Sequence, residues 1–436
     1  MIRFFNKLAR LQKRQKAYKK LTKRKRIYRK VEKSLVKRNR AEKRFKFYGI
    51  VSITICLAFL LILLFSIFSK GYSAFFQTKI LLNVEFNQEL VADELYNKIL
   101  LKALKDKIPE INSEQKERLA NKIFSQSAGY LLQNMLNVDK DLIGKTKEIW
   151  ITTSSDVDMF IKSSGLDIDN VNTRLDQDQI YWLKSLNQYK LIKLKFNKDF
   201  FVNGDSRDPE SAGVLGAVVG SIFVIFICII VAFPIGVSTA IYLEEFAPKS
   251  RLSEIIEVNI NNLAAVPSIV FGLLGLTLYI QTLGVPRSAS LAGGLTMALI
   301  ALPIIVISTR MSIRAIPPSI KDAAMALGAS KWQVTIHHVL PLAMPGIMTG
   351  SILSIARVMG ETAPLIMIGM IAFVVDVPHN IISAATVMPV QIYLWSDSVE
   401  PGFVEKASAV IIVLLFFLCL INLLAAYVRK KFEIKW

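Results

Sequence analysis

The chain has 436 residues, 53% of them hydrophobic, and a formal net charge of +20. Residues 1–48 hold 21 Lys and Arg but only two acidic residues, and the remainder of the chain is close to neutral. The composition therefore excludes a nucleic-acid-binding surface spread over the whole protein. Three cysteines in apolar runs and three scattered histidines exclude a disulfide framework and a histidine metal cluster. The cysteines are expected to be small buried hydrophobic residues.

The basic arm, residues 1–48, is followed directly by an apolar segment, Gly49 to Ser69, of the length that crosses a bilayer core. Clustered Lys and Arg also characterise nucleic-acid binding. A secretory signal is disfavoured, because the arm is long and no small-residue cleavage site follows the apolar run. The adjoining span favours a cytoplasmic arm attracted to anionic membrane lipid, and the arm places the N-terminus inside the cell.

Residues 70–212 are too polar to span a membrane and are predicted to form a small α+β domain on the outer face. Alternating apolar residues predict strands at Leu82–Phe86 and Leu191–Phe196, and Lys147–Thr153 is a further candidate strand. Helical spacing is present in Glu94–Leu104 and Ser113–Leu136. The domain shows no catalytic grouping, and a Gly-Lys-Thr at 144–146 lacks the first glycine of a phosphate-binding loop.

Five further apolar segments complete a predicted set of six membrane spans, with an amphipathic interfacial segment at Glu244–Asn261. Lys and Arg are enriched in the loops and tail that six spans place in the cytoplasm, so both termini are predicted to be inside. A permease region at 213–430 would include a cytoplasmic loop at 310–345, and residues 431–436 would form a tail. The predicted segments are Gly213–Tyr242, Asn262–Leu283, Leu291–Thr309, Gly346–Val375 and Ala407–Val428.

The cytoplasmic loop contains the stretch from Ser319 to Pro341, which is mixed in character and rich in helix-terminating residues. Ser319 with Asp322, and Ser330 with Gln333, have the spacing of capping boxes, which begin helices. Gly328 fits a left-handed helix stop, and Pro341 is expected to end the second helix. The stretch predicts a cytoplasmic helix–turn–helix whose first helix carries small side chains that allow close approach by another protein.

This stretch resembles the coupling loop of ABC importer permeases, in which Glu-Ala-Ala is followed by a Gly and then by Ile-x-Leu-Pro. Asp replaces the Glu and His338 replaces the Ile. The resemblance implies that the loop docks into a cleft of a separate ATPase subunit. The residues that carry it are Asp322, Ala323, Ala324, Leu327, Gly328, Leu340 and Pro341.

Four other stretches resemble the PstA-type permease of the phosphate-specific ABC importer over about residues 211–430. They are Gly213–Gly216, Tyr242–Pro248, Asn261–Val270 and Ala356–Leu365. The resemblance implies a PstC-like partner permease, a PstB-like ATPase dimer that binds ATP and Mg, and a PstS-like external phosphate-binding protein. The arm, first span and outer domain resemble an N-terminal extension of some proteobacterial members.

Arg357 and Glu361 lie inside the predicted fifth span, and Arg357 falls about 16 Å from its start at Gly346, near the bilayer midplane. A charge at that depth requires a partner or a water-filled path. A guanidinium fork suits phosphate oxygens, and Glu361 would hold Arg357 when no anion is present. The alternative is a structural ion pair. The family resemblance implies a substrate path at Arg357, Glu361, Thr362 and Ser268.

The sequence thus predicts an all-α polytopic membrane protein of six transmembrane helices, with a type I ABC permease core and an α+β extracytoplasmic insertion between the first two spans. The predicted function is the permease subunit of a phosphate importer in the bacterial inner membrane, with ATP hydrolysis on its partners and no nucleic acid bound. Two alternatives stay open: a permease for another oxyanion or small solute, and a membrane sensor or scaffold.

Overall fold

The computed structural model describes residues 2–87, 91, 95–164 and 174–432. By its contacts the chain divides into two units, Met1–Ser66 and Ile67–Trp436. The first unit consists of a single helix, α1, which begins at Ile2 and ends at Gly71 in the second unit. The stretch Lys37–Phe75 is long and apolar enough to cross a membrane. The basic arm and the first predicted span are therefore parts of one helix.

The outer segment forms a three-stranded antiparallel sheet in the order β2-β1-β3. Its strands are β1, Phe76–Glu85; β2, Thr146–Thr152; and β3, Ile192–Phe196. Ile80 on the central strand lies opposite Ile151 on one side and Ile192 on the other. Because side chains alternate along a strand, this register puts one apolar row on a single face of the sheet.

Helices cover that apolar face and close a core in which Leu82, Trp182 and Leu183 are almost fully buried. Burial of such side chains typically contributes about 1.5–3 kcal/mol each, so the core can stabilise the domain. The helices are α2, Tyr96–Lys105; α3, Glu114–Asn121; α4, Ala128–Val138; α5, Ser155–Ser164; and α6, Gln177–Gln188. A short helix after β3, α7, Lys198–Val202, instead packs Phe200 into a separate cluster with Val214 and Trp395.

The predicted helix Ser113–Leu136 is interrupted after Asn121, where the chain turns and Phe124 forms a β-bridge with Thr153. The sheet edge offers backbone partners that a continuous helix would leave unused. β1 begins at Phe76, six residues before the predicted strand. Glu94, the first residue of the other predicted helix, lies outside the described residues.

Among the described residues, five helices are long and apolar enough to span a membrane, and a bent pair makes a sixth if it counts as one span. The long helices besides α1 include α8, Leu215–Ile241, extended by a π-helical turn; α11, Ser290–Arg314; and α17, Pro401–Phe432. A short helix, α16, Met388–Ser396, precedes α17. The fold is therefore that of a mainly helical polytopic membrane protein with a small sheet insertion.

The predicted third span, Asn262–Leu283, corresponds to a bent pair rather than to one straight helix. α9, Arg251–Ala264, meets α10, Ser268–Gly275, at 102°, and α10 continues as a π-helix to Thr282. Pro267 lies at the bend, because a proline disfavours the helical conformation of the residue before it. The segment from Ser268 to Thr282 is at most about 22 Å long, short of a bilayer core.

The predicted fifth span, Gly346–Val375, is displaced along the sequence. The helix begins at Lys331 as α13, Lys331–Val334, passes through a π-turn, and continues as α14, Leu340–Met359. Gly346 and Gly350 are packing residues inside this helix, since an added Cβ at either position would collide with Ser312 or Ser308 of α11. Small residues at this spacing let two membrane helices approach closely.

The three cysteines differ in their surroundings. Cys228 is buried, as expected, but Cys56 and Cys419 are exposed, so the expectation is wrong for these two. Both lie on long apolar helices whose outer faces have no protein neighbour in a single chain. An apolar run alone does not distinguish a helix face that contacts protein from one that contacts lipid.

Candidate functional site: the helix–turn–helix loop and the end of helix α14

The first helix of the loop, α12, Pro318–Ala326, begins through prolines rather than through a capping box. Pro317 is the N-cap and Pro318 the first helical residue, and no side-chain cap is formed. Proline suits this position because its missing N–H would have no partner there. The predicted capping box between Ser319 and Asp322 is therefore wrong, although a helix starts where it was expected.

The turn and the start of the second helix follow the sequence prediction. Gly328 has a φ of +88°, in the left-handed region that favours glycine. The Ser330 hydroxyl accepts a hydrogen bond from the Gln333 N–H at 3.3 Å, and the Gln333 carboxamide accepts one from the Ser330 N–H at 2.9 Å. This reciprocal capping box fixes the N-terminus of α13.

Pro341 does not end the second helix, contrary to expectation. The helix widens into a π-turn at Thr335–Val339 and then continues as α14, in which Pro341 occupies the first turn. A proline inside a regular helix removes one hydrogen bond and collides with the carbonyl four residues earlier. The wider turn just before Pro341 gives that ring room, and Leu340 and Pro341 are half-buried within the continuing helix.

The loop has an inner and an outer face. Ala324 is buried in a cluster with Ile316, Val334 and Ala343, which holds the two helices together. Asp322, Ala323 and Leu327 are exposed, and Leu327 has 90% of its surface accessible. A large apolar side chain presented at a turn is a feature of interaction surfaces. The exposed face of the turn is thus free to contact another protein.

A network of ion pairs supports the loop at its base. Glu244 contacts Arg310 at 2.6 Å and Arg314 at 2.9 Å, and Glu257 contacts the same two guanidinium groups at 2.7 and 3.4 Å. The side chain of Arg310 is only 8% exposed. The network links the end of α8, helix α9 and the last turns of α11. Sequence reasoning used these arginines only to assign orientation and missed the pairing, because the two glutamates lie on other elements. The sequence shows only that Arg310 and Arg314, four residues apart, share one helix face.

Two further contacts connect the loop itself to the end of α8. Lys321 of α12 forms an ion pair with Glu245 at 2.5 Å, and Trp332 of α13 lies 6.1 Å from Phe246 between ring centres. Glu245 is buried. The segment Tyr242–Pro248, identified in the sequence by resemblance, therefore positions both helices of the loop.

Arg357 lies at the C-terminal end of α14, not in the middle of a span as predicted. The helix ends at Met359, and Gly360 caps it. Glu361 follows the helix end, and its carboxylate lies 4.0 Å from Nε of Arg357, the outer limit of an ion pair. The Arg357 side chain is 57% exposed and that of Glu361 is 22% exposed. The guanidinium is thus accessible and only loosely paired.

The other two predicted path residues belong to helices that pack on each other. Thr362 is the N-cap of the short helix α15, Ala363–Met367, and Ser268 is the first residue of α10. Gly272 of α10 lies against Pro364 so closely that an added Cβ would be 2.7 Å from its Cα. Thr362 and Ser268 are both half-buried. The structure therefore brings the two elements together, beside the end of α14.

No group of three or more His, Cys, Asp or Glu side chains that could hold a metal ion is present in the described ranges. The arrangement offers instead an accessible guanidinium, two hydroxyls on packed helices, and a supported loop with an exposed apolar tip. Such groups can bind an anion and contact a partner protein.

The chain is similar to known membrane transport permeases. Residues 232–434 match the family described as "Binding-protein-dependent transport system inner membrane component", so the chain is a multi-pass membrane permease of that class. Residues 32–168 match a domain of unknown function, DUF3333. The chain belongs to the PstA family of permease proteins, because its sequence matches most of the length of several members of that family.

The phosphate transport system permease protein PstA 1 of Mycobacterium tuberculosis (strain CDC 1551 / Oshkosh) is 36% identical over 225 residues, 51% of this chain and 72% of the relative. PstA of Haemophilus influenzae is 32% identical over 223 residues, 51% of this chain and 78% of the relative. Among solved structures, an inward-facing MetNI methionine ABC transporter aligns with 51% of this chain. The alignment covers 95% of the transporter chain, at 16% identity and a TM-score of 0.40.

Proposed function

We propose that this protein is the permease subunit of an ATP-driven importer that moves inorganic phosphate into the cytoplasm. Membership of the PstA family supports the class and the substrate. The observation that carries the assignment to a site is Arg357, whose guanidinium is accessible at the end of a helix and held by Glu361 only at 4.0 Å. A tightly locked structural pair would be buried and within hydrogen-bonding distance.

In this proposal Arg357 receives the phosphate oxygens, because a planar guanidinium fork matches an oxyanion in two directions. Glu361 competes with the anion for the same guanidinium, which weakens binding and lets the ion leave. The hydroxyls of Ser268 and Thr362 supply neutral hydrogen-bond donors along the path. None of these groups breaks a covalent bond, so the subunit transports and does not catalyse.

Energy comes from partner subunits. The exposed face of the loop, with Asp322, Ala323 and Leu327, docks into an ATPase that binds ATP and Mg. The complete importer contains a PstC-like permease, a PstB-like ATPase dimer and a PstS-like binding protein that delivers phosphate from outside. The chain lies in the bacterial inner membrane with both termini in the cytoplasm, where its basic arm contacts anionic lipid.

Radiolabelled phosphate uptake in cells without other phosphate transporters tests the proposal. Expression of this chain with its neighbouring transport genes is expected to give uptake that unlabelled phosphate competes away and that sulfate leaves unchanged. Pull-down of the chain is expected to recover the ATPase. An assembled, membrane-inserted complex without phosphate uptake would overturn the substrate assignment, and recovery of the chain without any ATPase would favour a sensor or scaffold.

A further inference from the structure

A cluster of exposed aromatic and aliphatic side chains lies where the chain leaves the membrane for the outer domain. Tyr72, Phe196 and Val202 have 62%, 53% and 64% of their surfaces accessible. We call the whole cluster the aromatic shelf. Its members are the exposed Tyr72, Leu194, Phe196, Phe201 and Val202 and the half-buried Phe76.

The rings of the shelf are ordered against each other. Phe196 stacks on Phe201 with centroids 5.6 Å apart and planes 10° apart, and Phe76 meets Phe196 edge to face at 6.4 Å. Tyr72 lies 5.4 Å from Phe76 and continues the row towards the end of α1. Interacting rings fix one another's orientation, so the exposed apolar surface is a continuous, preformed face.

The shelf is attached to the membrane-spanning part of the protein. Phe200, next to Phe201, is fully buried in a cluster with Val214 and Trp395. The Val214 N–H donates to the Phe200 carbonyl at 2.7 Å, and the Leu215 N–H donates to the Asn203 carbonyl at 3.1 Å. These bonds join α7 directly to the first turn of α8, a membrane span.

Its depth follows from these connections. Tyr72 comes directly after Gly71, the last residue of α1, and α7 is bonded to the residues at which α8 begins. Both ends of the shelf therefore lie at the level at which spans leave the bilayer, the zone where aromatic side chains are enriched in membrane proteins. Exposed Lys70 and Lys198 flank it and can extend towards lipid phosphates.

The outer edge strand supports the same conclusion. In the part of the chain that the structure describes, β3 pairs with β1 alone, and its Leu194 and Phe196 point to one face while Lys193 and Lys195 alternate with them. An apolar face on an edge strand invites aggregation unless something covers it. Continuity with two membrane spans identifies the cover as the bilayer.

We propose that the aromatic shelf is a lipid anchor, which seats the outer domain on the headgroup region of the outer leaflet. The stacked rings enter the boundary between headgroups and acyl chains, and the lysines contact lipid phosphate. The domain is thereby held at a fixed height beside the permease helices. This inference requires only that the chain spans a membrane and does not depend on phosphate as the substrate.

Spin labelling tests the anchor. In a full-length background carrying Cys56→Ser, Cys228→Ala and Cys419→Ser, Val202→Cys introduces a label at an exposed position that needs no repacking. The matched control is Ile143→Cys, also exposed, beside the far end of β1. β1 has ten residues, so the two ends of the strand are about 30 Å apart. Each protein is reconstituted in vesicles of phosphatidylethanolamine with a minority of phosphatidylglycerol.

Relaxation enhancement by oxygen, which concentrates in lipid, is compared with that by a water-soluble nickel chelate. At position 202 oxygen is expected to be the stronger relaxant, and at position 143 the chelate. Stronger relaxation by the chelate at 202 would place the shelf in water and overturn the proposal. Protection of 202 from both relaxants would show a protein surface over the shelf and would overturn it equally. Wild-type-like vesicle insertion and monodispersity of both labelled proteins exclude misfolding as the cause.

Discussion

At the scale of single residues, the position of a helix end decides what Arg357 can do. Gly360 caps α14 directly after Met359, so Arg357 belongs to the last turn of the helix. A cation is favoured at a helix C-terminus, because the unpaired carbonyls there carry partial negative charge. The loose contact with Glu361 adds little, which leaves the guanidinium accessible.

Arg357→Gln keeps the length and hydrogen-bonding capacity of the side chain but removes its charge. We expect phosphate uptake to be abolished while the complex still assembles, because the exposed guanidinium contributes little to packing. The measurement is phosphate uptake in cells lacking other transporters, with abundance of the complex checked by pull-down.

The double variant Arg357→Gln with Glu361→Gln is the matched control. It leaves no lone charge, so a purely structural pair predicts recovered uptake, whereas an anion-binding arginine predicts continued inactivity. Near-normal uptake by the double variant would show that the arginine serves the fold and not the ion.

At the scale of elements, the helix–turn–helix is a supported unit with one exposed face. The residue pattern predicted a coupling surface along α12, but packing decides which side of that helix is available. Ala324 faces Val334 and Ala343 in a buried cluster, and Leu327 extends into solvent. A substitution that tests docking must therefore be placed on the outer face.

Leu327→Asp is expected to uncouple transport, because it replaces the exposed apolar tip with a charge and disturbs no internal contact. Phosphate uptake should fall at least tenfold while the permease remains in the membrane, and recovery of the ATPase by pull-down should fall in parallel. Ala323→Asp, on the same exposed face, should act in the same direction.

Ala324→Asp serves as the contrasting variant, since it buries a carboxylate in an apolar cluster and should lower the amount of folded protein. Gly328→Asp strains a left-handed backbone position and should also lower the amount of folded protein. Normal uptake and normal ATPase recovery in Leu327→Asp would contradict the proposal that the exposed face of the loop contacts the ATPase.

The ion-pair network at the base of the loop gives a stability prediction. Arg310→Gln removes the guanidinium shared by Glu244 and Glu257 and leaves these carboxylates dependent on Arg314. Breaking a buried pair costs about 3–5 kcal/mol, and the remaining partner should reduce the loss to about 2 kcal/mol. The expected result is a lower thermal midpoint of the purified complex in detergent.

Arg314→Gln is the control for this prediction, because the Arg314 side chain is 52% exposed and an exposed pair contributes at most about 1 kcal/mol. Equal shifts in the two variants would contradict the view that burial of Arg310 makes it the central member of the network.

At the scale of the whole chain, the outer domain is joined to the permease helices by buried charges. Lys162 of α5 contacts Asp158 at 2.6 Å and Glu405 of α17 at 3.1 Å, and all three side chains are at most 13% exposed. Lys406 donates to the Ala212 carbonyl at 2.6 Å. A buried charge that loses its partner is strongly destabilising. These contacts therefore oppose separation of the outer domain from α17.

The register of β1 and β3 offers a place to remove the outer domain, if Glu405 is also changed to Gln because the cut takes away its buried partner Lys162. Gln77 and Lys195 are opposite each other on β1 and β3, so a short glycine-rich turn can replace residues 78–194. This cut keeps Phe200, which a removal of residues 76–205 would take from the core beside α16 and α17.

We expect the shortened chain to assemble with the ATPase, because the coupling loop and its supports are intact, but to depend differently on the binding protein. Pull-down and uptake with increasing amounts of binding protein measure the two effects. If the shortened chain inserts in the membrane but loses the ATPase, the outer domain is required for assembly.

The sequence by itself determined that the chain is a helical membrane protein, the approximate position of most spans and the helix–turn–helix, because these depend on local signals. The permease class and the coupling role of the loop were indicated by family resemblance. Long apolar runs, the distribution of basic residues, a glycine at a left-handed turn and a capping box act within a few residues, so they are legible without the fold. Two of the three strands of the outer domain were placed by alternation for the same reason.

Only the tertiary structure decided the features that depend on distant neighbours. Gly346 could be a span start or a packing glycine, and the approach of Ser312 settles it. Pro341 is accommodated by a π-turn that no local rule demands, and Pro267 turns a predicted span into a bent pair. The buried side of Ala324 and the pairing of Glu244 with Arg310 follow from which helix lies next to which. Those contacts join residues far apart in sequence, and a local pattern carries no information about them.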